Sequence, residues 1–150
     1  MRVVLQRVST ASVSIENKVV AKIDKGLLIL LGITTEDTQE DISWLVKKLV
    51  NLRIFNDTQK KMNLSVKDCD GDIIVVSQFT LFASIKKGNR PSYLQSAKSA
   101  VAKPLYHQFL KMLQENVSKK IQAGVFGAEM KVALVNDGPV TLTIDSKNRE

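Results

Sequence analysis

Ser77, Gln78 and Thr80 stand within four residues of one another, at the end of the apolar run "IIVVSQFTL". Hydroxyls and an amide can orient a polar substrate, and a hydroxyl can attack a carbonyl if a base draws its proton. The sequence offers no obvious base. His107 is the one histidine; it lies inside a helical pattern and reads as a surface residue. A Ser–His–Asp or Cys–His device would have to use it. Cys69 sits in an acidic turn, without the electropositive setting that makes a reactive thiolate.

Metal and phosphate motifs are also missing. No Cys/His cluster has zinc spacing, and neither a Walker loop nor GxGxxG occurs. Asp68, Asp70 and Asp72 alternate like the start of a calcium loop. Gly71 is misplaced for one, and no glutamate stands at the twelfth position. No metal or cofactor is expected.

Three features stay open on residues alone. Thr80 is either a nucleophile whose base comes from the substrate, or a β-branched residue bonding its neighbours. Lys86, Lys87 and Arg90, in "SIKKGNRPS", are either solvated or placed to grip phosphate. "NDGPVT" (136–141) is a turn, and Gly138-Pro139 is also a place where a cis bond is cheap.

These residues need elements to hold them. Strand patterns open at Val3–Val8 and continue as two short runs around Glu16-Asn17, a predicted hairpin. "GLLILLGI" (26–33) is continuously apolar, as in a strand covered on both faces. Thr38 and Asp41 form a capping-box pattern before a helix with Ile42, Leu45, Val46, Leu49 and Leu52 at helical spacing. A strand is predicted at 73–79. A second helix is expected from about Ala100 to Gln122, with Pro104 in its first turns and Gly124 as its cap. "MKVALVN" and "VTLTI" are predicted as two strands joined by Asp137-Gly138-Pro139, because Pro139 has no N–H for a ladder. The fold class is α/β of the α+β type: one mixed, mainly antiparallel sheet with two main helices, in one domain over 1–150.

The bulk composition narrows the partner. The chain has 150 residues, 44% hydrophobic and 25% charged, with 22 basic against 15 acidic side chains and a net charge of +7. A surplus of Lys and Arg favours a polyanionic partner. One cysteine excludes an internal disulfide. No signal peptide or membrane span is expected, so the expected compartment is cytoplasmic.

"SQFTL" (77–81) and "NDGPVT" (136–141) resemble the two signature motifs of the D-aminoacyl-tRNA deacylases. "MRVVLQRVSTASVSI", "GLLILLGI", "NLRIFND", "NRPSY" and "GVFGAEMKVALVNDGPVT" are similar to the family pattern in the same order. The resemblance implies a homodimer that hydrolyses the ester of D-aminoacyl-tRNA, and of mischarged glycyl-tRNA, as chiral proofreading in translation. It implies no metal or cofactor. It places Ser77, Gln78, Phe79 and Thr80 on the floor of a site that works through main-chain amides and the tRNA 2′-hydroxyl. Phe79 N–H is the expected oxyanion donor, and Thr80 is expected to orient rather than attack. Gly138-Pro139, with a cis bond and buttressed by Arg7, is implied as the wall that rejects L side chains in the partner subunit's site. Lys86, Lys87 and Arg90 are expected to hold tRNA. The alternatives are a non-catalytic RNA-binding module and a Thr80-nucleophile esterase.

Overall fold

The computed structural model describes residues 1–149. Its frame is β1 (Arg2–Ile15), a 14-residue strand with neighbours on both edges. On one edge β1 pairs antiparallel with β3 (Gly26–Gly32) through residues 2–8 and with β2 (Lys18–Ile23) through residues 11–15. On the other edge it pairs antiparallel with β8 (Lys131–Asp145). Beyond β3 lie β6 (Asp72–Ser77) and β7 (Gln122–Ala123), both parallel additions. The sheet is therefore mixed, mainly antiparallel. β4 (Phe55–Asn56) and β5 (Met62–Leu64) form a separate small hairpin.

Glu16 and Asn17 have φ of 48° and 63°, the left-handed pair that a tight two-residue hairpin needs. Helix α1 (Gln39–Asn51) starts as its sequence demands. Thr38 Oγ1 accepts from the Glu40 amide at 3.3 Å, and the Asp41 carboxylate accepts from the Thr38 amide at 2.8 Å. Such a box is worth about 1 kcal/mol. Ile42, Leu45, Val46 and Leu49 are buried along its inner face. Helix α2 (Ser99–Glu115) packs beside α1 through Tyr106, Phe109 and Leu113. Both helices cover one face of the sheet, over Leu5, Ile29 and Val75. Val8, Val13, Ile23, Leu28, Ile74 and Val76 form a second apolar cluster on the opposite face. Residues of β3 and β6 thus enter both clusters, which explains their unbroken apolar runs. Among the described residues no helix is long and apolar enough to cross a membrane.

Three expectations are corrected. Helix α2 stops at Glu115, not near Gln122. The Asn116 side chain donates back to the Met112 carbonyl at 2.8 Å, and the Gln114 side chain ties down the Lys119 carbonyl and the Ile121 amide, both at 3.0 Å. Those bonds turn the chain so that 122–123 can join the sheet as β7, and Gly124 follows that strand instead of capping a helix. The strand predicted at 73–79 ends at Ser77, and Phe79–Phe82 form a 3₁₀ turn. The runs "MKVALVN" and "VTLTI" are not two strands of a hairpin. They are one 15-residue strand, β8, running along β1 from Ser14 to Arg2. Its register shifts between Gln6 and Val8 and again between Val8 and Thr10, so residues 137–139 bulge instead of reversing the chain. An edge bulge tolerates a proline that has no ladder N–H.

Candidate functional site

The floor segment is positioned by β6 and by one glycine. Ser77 pairs with Leu31 at the last register of the parallel ladder, and the Gln78 amide donates to the Leu31 carbonyl at 2.8 Å. The chain then tightens, with Leu81 N–H donating to Gln78 O at 3.3 Å and Ala83 N–H to Thr80 O at 3.0 Å. This turn lies hard against the end of β3. A Cβ on Gly32 would come within 3.0 Å of both the Gln78 carbonyl oxygen and the Leu81 Cβ, so glycine is what lets the turn close there.

A 3₁₀ turn leaves its first amides without intrahelical acceptors. Among the described residues, neither the Phe79 nor the Thr80 N–H donates to another group of the chain. The Gln78 side-chain amide donates to Thr80 Oγ1, and Ser96 Oγ donates to the Phe79 carbonyl at 2.7 Å. The Phe79 ring is 56% exposed and meets Tyr93 edge-on, with centroids 5.0 Å apart. Around this segment opens a pocket of about 330 Å³, lined also by Ala102, Phe126 and Gly127. Among the described residues no carboxylate, imidazole or thiol lines it. His107 lies exposed on α2, and Cys69 Sγ is turned to the Val66 carbonyl.

Sequence reasoning missed Tyr93 and Ser96 as parts of this site. They arrive from the far end of the 84–92 loop, which closes through paired Ser84 and Ser92 backbone bonds of 2.8 and 2.9 Å. An aromatic after a basic loop, in "NRPSY", was the available signal. Lys86, Lys87 and Arg90 are exposed on that loop.

The second assembly surrounds Gly138 and Pro139, both exposed, with the peptide bond between them cis. Arg7 lies mid-way along β1 and is 5% exposed. Its Nε is 3.0 Å from an Asp137 carboxylate oxygen and donates to the Asp137 carbonyl at 3.2 Å. Its Nη1 donates to the Ile54 carbonyl. Asn136 Nδ2 donates to the carbonyls of Arg7 and Val140, at 3.3 and 3.0 Å, and clamps the bulge from both ends. Ile54 was not foreseen as part of this assembly, and Asn136 and Asp137 were read only as members of the NDGPVT motif, without these bonds.

The two assemblies do not meet within one chain. The ladder row through Ser77 runs to Leu31, Val3 and Ile144, three strands across. Gly138 lies six residues further along β8 than Ile144. At ~4.8 Å per strand and ~3.3 Å per residue, the separation is on the order of 20 Å.

The D-Tyr-tRNA(Tyr) deacylase family model matches residues 4–145. The chain belongs to that family. A D-aminoacyl-tRNA deacylase of Flavobacterium psychrophilum is 63% identical over 150 residues, covering all of both chains. That of Bacteroides thetaiotaomicron is 57% identical over the same length and coverage. Among solved structures, the c-Myc DNA unwinding element binding protein superposes with a TM-score of 0.92 at 39% identity, over 97% of this chain and 98% of that one. A probable eukaryotic D-amino acid tRNA deacylase shares the fold, with a TM-score of 0.79 at 20% identity, over 95% and 97% of the two chains. Family membership thus rests on the whole chain, and both assemblies lie within the matched residues.

Proposed function

We propose that this protein hydrolyses the ester joining a D-amino acid, or glycine, to the terminal ribose of tRNA, as chiral proofreading in translation. The observation that carries this reading is a pocket at the unpaired Phe79 main-chain amide, lined among the described residues by no imidazole, carboxylate or thiol and by one amine, Lys98, in a chain of the deacylase family. An aminoacyl ester is already an activated acyl group, so the barrier to be lowered is modest. The substrate's own 2′-hydroxyl orients the attacking water. Water oxygen bonds to the ester carbon, and the carbonyl oxygen takes up charge that the Phe79 N–H stabilises, with the Thr80 N–H beside it. The bond to the ribose 3′-oxygen then breaks, that oxygen takes the proton given up by the attacking water, and free amino acid and tRNA leave. Ser77, Gln78 and Thr80 position the ribose and water.

The wall that rejects L side chains comes from a second copy of the chain. Gly138 and Pro139 are exposed, and a gap on the order of 20 Å within one chain is far beyond hydrogen-bond reach, ~3 Å. β8 is bonded to β1 along one edge, which leaves its other edge and the bulge available to the partner. A homodimer then holds two sites, each with a floor from one protomer and a wall of Gly138-Pro139, braced by Arg7, from the other. An L side chain collides with that fixed backbone, whereas a D side chain points away. Lys86, Lys87 and Arg90, on the loop leading to Tyr93, take the tRNA phosphates. The reaction places the protein in the cytoplasm with the translation machinery.

The test is ester loss from D-tyrosyl-tRNA and L-tyrosyl-tRNA incubated with the purified protein. Loss of the D ester alone is expected. No turnover of either would make the chain a binding module, and trapping of a covalent acyl-enzyme on Thr80 would make it a nucleophilic esterase.

A further inference from the structure

Helix α1 carries a second basic surface that the floor, the wall and the 84–92 loop do not use. Trp44, Lys47, Lys48, Asn51, Leu52 and Arg53 line a groove of about 580 Å³ along its outer face. Lys47, Lys48 and Arg53 are exposed, and no acidic residue occurs from Ser43 to Asn56. Among the described residues neither Lys47 nor Lys48 is paired with a carboxylate, whereas Lys119 and Lys147 are. Trp44 is half-buried and already attracts cations: Lys48 Nζ lies 5.9 Å and Arg149 Cζ 4.8 Å from its ring centroid. Arg149 on that ring is paired with Glu40 at 3.4 Å, which leaves Lys47 and Lys48 as the uncompensated cations beside the aromatic face, an arrangement that suits a sugar–phosphate backbone better than a protein surface.

The groove is tied to the wall. Arg53 is followed by Ile54, whose carbonyl holds Arg7 Nη1. The same guanidinium is bonded to Asp137, and its Nη2 lies 2.8 Å from where a Gly138 Cβ would stand. One side chain therefore bridges the C-terminal end of α1 and the Gly138-Pro139 bulge. In the dimer proposed above, on which this inference rests, the wall enters the partner's site. The chain from the α1 groove leads through Ile54 and Arg7 to that wall.

We infer that the α1 face of Trp44, Lys47, Lys48 and Arg53 binds the phosphate backbone of the tRNA engaged in the partner subunit's site. Binding is by charge and stacking, so it adds affinity for any tRNA without reading sequence. It also separates the two tasks of each protomer: its pocket handles one substrate's ester while its α1 steadies the other.

The test compares K47E/K48E with the unchanged full-length protein on two substrates, D-tyrosyl-tRNA and the D-tyrosyl ester of the terminal CCA trinucleotide. On full-length tRNA, KM should rise about tenfold or more, with kcat within about twofold. The salt dependence of binding should flatten by about two units of slope, one for each phosphate no longer neutralised by a lysine. KM for the trinucleotide ester should not move. K47R/K48R should restore the tRNA KM, and K47Q/K48Q should give an intermediate rise if the charge-reversed protein proves unstable in a thermal melt. K18E/K22E, on the exposed face of β2, makes the same change in net charge. An equal KM rise there would reduce the effect to overall charge and overturn the inference, as would an unchanged tRNA KM in K47E/K48E. Failure of the unchanged protein to cleave either D ester would instead overturn the proposed reaction itself.

Discussion

The Arg7 guanidinium grips Asp137 twice, through its carboxylate at 3.0 Å and through its main-chain carbonyl at 3.2 Å. The second bond fixes backbone, and that backbone leads directly into Gly138. Arg7 also satisfies the Ile54 carbonyl, so three acceptors depend on one nearly buried fork. Lysine has a single ammonium and cannot reproduce that geometry.

Arg7→Lys should therefore loosen the bulge more than it unfolds the protein. Breaking a buried ion pair costs about 3–5 kcal/mol, but the Asp137 side chain is 46% exposed and water replaces much of the loss. A destabilisation of about 1–2 kcal/mol is expected from the urea midpoint at unchanged m value. The rate ratio between D- and L-tyrosyl-tRNA should fall by a larger factor than stability accounts for. Unaltered discrimination in a measurably destabilised variant would remove Arg7 from the wall.

Gly138 has φ of 121°, a conformation that L side chains rarely adopt. A Cβ there would also stand 2.9 Å from Val140 Cγ2 as well as against the Arg7 fork. Gly138→Ala is expected to cost about 1–3 kcal/mol and to displace the fork. Its Tm should drop, and D-ester turnover should fall by at least tenfold at a temperature where the variant is folded. A Gly138→Ala protein as active and as stable as the parent would show that the bulge tolerates movement, contrary to the role given to it.

Local signals are the legible part of this sequence. Thr38 and Asp41 announce the start of α1 because both partners of the capping box lie within one turn. The apolar run of β3 announces burial on both faces for the same reason. The bulge at Gly138-Pro139 reads locally as a chain reversal, since a Gly-Pro pair between two β runs is a turn signal. Only the pairing of both runs with β1, more than 100 residues earlier, shows one strand. The floor segment is visible as a polar strand end. Its 3₁₀ form depends on the close approach of Gly32, and Tyr93 and Ser96 reach it through a loop, so neither is written in the local pattern.

Thr80 distinguishes orientation from attack. Its hydroxyl accepts a hydrogen bond from the Gln78 amide, and among the described residues no imidazole or carboxylate lines the adjoining pocket. Thr80→Val keeps the shape and removes the hydroxyl. It should retain kcat within about tenfold, whereas loss of a true nucleophile costs at least ~10³-fold. D-tyrosyl-tRNA ending in 2′-deoxyadenosine should be the more damaging of the two changes. Equal turnover of the deoxy and ribo substrates would abolish the assistance assigned to the 2′-hydroxyl.

Lys86, Lys87 and Arg90 stand on an exposed loop whose base leads to Tyr93 at the pocket. Phosphate contacts position a nucleic acid and contribute little to the chemistry. The triple alanine variant should raise KM for D-tyrosyl-tRNA and flatten its salt dependence, with kcat within a few-fold. A collapse of kcat at constant KM would place these side chains in the reaction instead.

Acid stability should depend on Asp41, which is 2% exposed at the base of α1. Burial alone would raise its pKa. Hydrogen bonds from Lys147, Ser146 and Thr38 outweigh burial and hold the carboxyl well below the usual carboxylate range. Ser146 Oγ donates to Asp41 at 2.7 Å and accepts from the Met1 ammonium at 2.7 Å, so one carboxylate joins α1, the C-terminal segment and the start of β1. The folded pKa lies below the unfolded value of about 3.9. The stabilisation is then complete above that value and is lost as pH falls from it toward the folded pKa. Asp41→Asn should be less stable at pH 7 by about 2 kcal/mol, through weakened charge-assisted bonds. Its urea midpoint should also decline less steeply than the parent's between pH 5 and pH 3. Parallel declines of the two proteins over that interval would assign the acid sensitivity to other carboxylates and leave Asp41 as a neutral-pH clamp only.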